Sequence, residues 1–74
     1  MLKYQVKKNK LRGLRNSYQI TQQELAKSLN LSTASYNKKE LNQGTFKLKE
    51  MKLILKYFND MGLNLTLDDI WGED

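Results

Sequence analysis

Thirteen lysines and arginines, a scatter of amides and hydroxyls, and no histidine or cysteine define the chemistry open to this chain. Without His there is no Ser-His pairing and no imidazole ligand; without Cys there is no thiolate metal site and no disulfide framework. No motif sets a nucleophile beside a base, and the adjacent Asp68 and Asp69 fall at a helix start, where capping explains them. Neither catalysis, metal nor cofactor is expected, and no small-molecule substrate is evident. What remains is donation of hydrogen bonds and positive charge to an anion. The stretch "STASYNKKELNQG", residues 32–44, concentrates it: Thr33, Ser35, Asn37 and the Lys38–Lys39 pair surround one aromatic residue, Tyr36.

The net charge of +5 is unevenly spread: residues 1–20 hold six basic side chains and no acid, while residues 45–74 hold four lysines against six acids. The first end suits a polyanion and the second does not; a solvated lysine surface is the plainer alternative. With 74 residues, 39% of them hydrophobic, the chain has room for one domain and a modest core. The basic start "MLKYQVKKNK" never reaches the apolar run of about 7–15 residues that a secretory signal needs. Nowhere do roughly 18 apolar residues run together. A cytoplasmic protein without membrane contact is expected.

Short stretches of helical periodicity position these groups. Leu11, Leu14, Arg15 and Tyr18 share one face of a first helix over about residues 7–18, preceded by an alternation of Leu2, Tyr4 and Val6 that suits extended chain. "TQQE", residues 21–24, is a capping box that starts a second helix near Gln22, with Leu25, Ala26 and Leu29 inward. Asn30 suits a left-handed turn, Ser32 is a good N-cap, and a third helix runs from about Thr33 to Leu41. Asn42 or Gly44 can supply the left-handed residue that ends it. After the buried-type Phe46, Leu48, Met51, Ile54, Leu55 and Phe58 form one apolar stripe on a fourth helix, which Gly62 stops. Thr66 caps a fifth, with Ile70 and Trp71 as plugs. The expectation is an all-α, compact five-helix domain over residues 1–74, with residues 1–6 as a flexible or extended arm.

Helices two and three are short and their connection is too short for long antiparallel contact. A steep crossing follows, the helix-turn-helix arrangement, in which the second helix projects from the body. Anchored by Leu31 and Tyr36, with Thr33, Ala34, Asn37 and Lys38 outward, it can enter the major groove of DNA.

The stretch "LRGLRNSYQITQQELAKSLNLSTASYNKKE", 11–40, with "FKLKEMKLILKYF", 46–58, and "LTLDDIW", 65–71, resembles the Cro/cI-type phage-repressor (XRE) helix-turn-helix domains. The strongest signals are "ITQQELAKSLNLS" and the spacing of Arg15, Gln22 and Glu40. The resemblance implies a lambda-repressor-like fold and a sequence-specific transcriptional regulator, a repressor or Cro-like protein of phage or prophage origin, binding double-stranded operator DNA as a two-fold homodimer. It places base contacts at Thr33, Ala34 and Lys38, with Ser35 and Asn37 near enough for bases or sugar-phosphate, and a phosphate contact at Gln22. It makes Arg15 and Glu40 an internal ion pair. Lys can donate to guanine O6 and N7, Thr offers hydroxyl or methyl, and Ala packs on a thymine methyl. Gln22 falls where a helix N-terminus favours a phosphate, although an ordinary helix-start glutamine is the alternative. Lys10, Arg12, Lys39, Gln43, Thr45 and Lys47 are further phosphate candidates, each alternatively a solvated side chain. Tyr36 is expected as a core anchor.

Three positions depart from the pattern: Lys39 replaces a usual aliphatic residue, Leu41-Asn42 a frequent Asn-Gly, and Gln19 a frequent Gly. They leave open the path of the loop after helix three. Leu63, Leu65 and Trp71 are a candidate dimer surface or, alternatively, the closure of the core. A different class of function, a protein-interaction module such as an antitoxin or adaptor, would use the acidic end "DDIWGED", 68–74.

Overall fold

A computed structural model of the chain describes residues 10–72. Among these it contains no strand and five helices: α1 (Leu11–Ser17), α2 (Gln22–Ser28), α3 (Thr33–Glu40), α4 (Leu48–Asn59) and α5 (Leu67–Trp71). The all-α, five-helix expectation holds. The first helix begins at Leu11 with Lys10 as its N-cap, later than the expected start near 7, because the Lys10 N–H is turned to α5. The alternation at Leu2, Tyr4 and Val6, the arm at 1–6 and the last two acids lie outside the described residues.

Local hydrogen bonds set where each element begins. Thr21 Oγ1 accepts from the Glu24 N–H at 3.1 Å and Glu24 Oε1 accepts from the Thr21 N–H at 3.0 Å, which completes the box that opens α2. Ser32 Oγ accepts from the Ser35 N–H at 3.1 Å to start α3. Glu50 accepts from the Lys47 N–H (2.9 Å) at α4, and Asp69 from the Thr66 N–H (2.8 Å) at α5.

The first three helices end alike. Gln19, Asn30 and Asn42 take φ of 57°, 60° and 63°. After each, the next N–H reaches back five residues: Ile20 to the Arg15 carbonyl (2.9 Å), Leu31 to Ala26 (2.9 Å), Gln43 to Lys38 (2.8 Å). This is the Schellman closure, which satisfies carbonyls the helix leaves over. Asn suits the left-handed conformation because its short side chain bonds locally; Gln19 lacks that advantage and carries a cost of about 1–2 kcal/mol.

The core gathers Leu11, Ile20, Leu25, Ala26, Leu29, Tyr36, Phe46, Met51, Ile54, Phe58, Ile70 and Trp71. Phe46 bridges Tyr36 and Trp71, with ring centroids 5.8 and 5.9 Å away. The Lys10 N–H donates to the Ile70 carbonyl at 3.1 Å, tying the start of α1 to α5. Two stripe residues differ from the periodic pattern: Tyr18 is 43% exposed and Leu48 51%. Each sits at a helix end, beyond the edge of the packed layer. Trp71 is buried, and the partly buried Leu63 and Leu65 pack against the core and help to close it.

Candidate nucleic-acid interface

Helix α3 buries only Tyr36 and Glu40. These lie four residues apart on one face, so the rest of the helix is left outward. Thr33, Ala34, Ser35 and Lys38 are exposed, while Asn37 and Lys39 are half-buried. Its first turn holds no acid and its last turn holds two lysines. A helix so placed needs strong anchoring, because packing area alone supplies little.

The anchor is a carboxylate. Arg15 of α1 forks onto Glu40, Nε donating to Oε2 at 2.9 Å and Nη2 to Oε1 at 3.0 Å. Its remaining arm, Nη1, donates to the Ile20 carbonyl at 2.8 Å. Tyr36 Oη donates to Glu40 Oε2 at 2.7 Å, and Gln22 Nε2 of α2 donates to Oε1 at 2.9 Å. Three helices therefore converge on one buried anion whose acceptor sites are filled by planar, oriented donors. Burial pushes the Glu40 carboxyl upward, but the Arg15 fork, Gln22 and Tyr36 more than offset it and hold the group below the usual range. Arg15 is shifted up, first by its hydrogen bonds to Glu40, and Tyr36 is raised chiefly by burial and then by Glu40.

Two proposed phosphate contacts are engaged elsewhere. Gln22 Nε2 donates to Asn37 Oδ1 at 2.8 Å as well as to Glu40, so both N–H groups of the side-chain amide turn inward. The expectation that this amide donates to a phosphate does not fit that geometry; only the backbone N–H at the start of α2 suits the role. Lys39 Nζ bonds both oxygens of Glu50, at 2.7 and 3.0 Å, and its side chain is largely covered. The lysine that stands where an aliphatic residue is usual bridges α3 to the start of α4, which accounts for its departure and engages its ammonium with a carboxylate. Lys10, Arg12, Gln43, Thr45 and Lys47 are exposed.

Arg12 and Asn16 of α1, Thr21 and Gln22 at the start of α2, and Asn37 and Leu41 line one open depression between the three helices. Asn16 and Thr21 were not singled out from the sequence as part of this surface, and no local signal marks them; they meet there only in the folded chain. Among the described residues no group of His, Cys, Asp or Glu is arranged to hold a metal, and no helix is long and apolar enough to cross a membrane.

A family model described as helix-turn-helix matches residues 11–67, from the first residue of α1 to the first of α5. No curated protein and no solved structure matches the chain. The matched span contains the capped α2, the left-handed turn at Asn30, the outward α3 and the Arg15–Glu40 pair that fixes it. The chain belongs to the Cro/cI-type (XRE) helix-turn-helix family of DNA-binding regulators.

Proposed function

We propose that the protein is a sequence-specific repressor of phage or prophage origin, Cro-like in scale, whose α3 reads the major groove of double-stranded operator DNA. The observation that carries this is the polar, exposed edge of α3, held out from a core in which it buries only Tyr36 and Glu40. Thr33, Ala34, Ser35, Asn37 and Lys38 meet base edges. Lys10, Arg12, Gln43, Thr45, Lys47 and the Gln22 backbone N–H meet the sugar-phosphate backbone, with affinity supplied by counterion release. The longest dimension, 31 Å, suits one half-site, and two copies related by a two-fold axis cover half-sites about one helical turn apart. The protein acts in the cytoplasm, on the nucleoid.

Selection of bound duplexes from a random pool tests sequence reading, with an enriched two-fold motif expected. A reporter promoter carrying that motif tests the regulatory sign: expression falls if the protein represses and rises if it activates. Within the acidic end that the interaction-module alternative would use, Asp69 is engaged in capping α5. Retention on duplex DNA that falls by roughly 0.9 in log K per phosphate contact as log salt rises separates the two.

A further inference from the structure

The donors and acceptors between the buried ion pair and the edge of α3 form a chain whose polarity is fixed at its inner end. Glu40, ionised and locked by Arg15, can only accept. The Gln22 atom that meets it at 2.9 Å must therefore be the amide nitrogen. That nitrogen can only donate, so the Asn37 atom 2.8 Å away must be the carbonyl oxygen. Asn37 is left with its Nδ2 on the other arm of the same carboxamide, and no acceptor among the described residues meets it. Asn37 lines the depression shared with Arg12, Asn16 and Thr21.

We infer that Gln22 is a positioning residue that fixes Asn37 as a donor-only reader of base edges, so that Asn37 prefers guanine to adenine. This rests on the DNA-reading function proposed above. Asn ordinarily pairs with adenine through both arms, accepting from N6 and donating to N7. Here the carbonyl arm is held on Gln22 at 2.8 Å, so the group that would meet adenine N6 is tethered to the protein. Guanine offers two acceptors, O6 and N7, to the two N–H bonds of Nδ2. The buried carboxylate thus reaches the specificity surface through two amides, without touching DNA.

The test is selection from a randomised duplex pool with the wild-type protein, Gln22→Ala and Asn37→Asp, each checked for helix content. Wild type is expected to favour guanine over adenine by about ten-fold at one position of each half-site. Gln22→Ala releases the Asn37 carbonyl, and that preference is expected to fall to near parity while other positions keep theirs. Asn37→Asp still accepts from Gln22 but turns a second acceptor outward, and the same position is expected to move to cytosine, whose N4 donates. If Gln22→Ala does not fold, Asn37→Asp decides alone. Loss on all duplexes alike in Gln22→Ala, with base preferences unchanged in both variants, overturns the relay and leaves the function standing. No enriched motif for wild type overturns the function itself.

Discussion

Replacing Glu40 by glutamine keeps the size of the side chain and removes its charge. Wild-type Glu40 is 4% exposed and accepts from Arg15, Gln22 and Tyr36 at 2.7 to 3.0 Å. An amide group in its place offers one oxygen and one NH2, and the NH2 faces donors wherever it is turned. Arg15, 8% exposed, keeps its bond to the Ile20 carbonyl and at most one to the amide oxygen, and its buried charge loses its partner. Stranding one partner of a buried pair costs about 3–5 kcal/mol, and the surviving Ile20 bond sets the expectation near 3. With an m-value of about 1 kcal/mol/M in urea, the midpoint falls by about 3 M. Acid tests the same group in the opposite direction. The carboxyl lies lower in the folded protein than in the unfolded chain, so its contribution is complete above the unfolded value and lost as pH falls through the folded one. The gap between wild type and Glu40→Gln therefore narrows below about pH 4. Urea titrations at neutral and acid pH check both points. A loss under about 1 kcal/mol, or a gap that widens on acidification, would refute the assignment of Glu40 as the anchor.

Lys38→Ala is expected to cost about 1–3 kcal/mol on the preferred duplex and to relax one base position, measured by competition between duplexes; equal loss on every sequence would make Lys38 a phosphate contact. Lys39→Gln breaks the Glu50 pair, so thermal stability is expected to fall by up to about 1 kcal/mol while the salt slope of DNA binding stays put. A slope shallower by about 0.9 would return Lys39 to the phosphate set. Gln19→Gly relieves the left-handed side chain and is expected to stabilise by about 0.5–1 kcal/mol, raising the melting midpoint by several degrees. An unchanged or lower midpoint would mean the turn carries no such strain.

What could be seen in the sequence was short-range. The Thr21–Glu24 box, the Ser32 cap and the turns at Asn30 and Asn42 depend on residues within five positions of one another, and residue type alone specifies them. The apolar stripes located the core, but periodicity does not know where a layer stops, and Tyr18 and Leu48 fall past its edge. Gln19 gave no turn signal of its own, because the conformation there is imposed by the Ile20–Arg15 closure. The contacts that reassign Gln22 and Lys39 span 15, 18 and 11 residues and need the helices already crossed. Both side chains were ordinary phosphate donors by type; geometry turned each toward a neighbour.

The edge of α3 can be tested residue by residue with amide chemical-shift mapping of the labelled protein on adding its selected duplex. The largest shifts are expected at Thr33, Ala34, Ser35, Asn37 and Lys38 and at the Gln22 backbone N–H, with little change at Lys52 and Lys56 on α4. Shifts centred on α4, with α3 unmoved at saturating duplex, would show that another surface meets DNA.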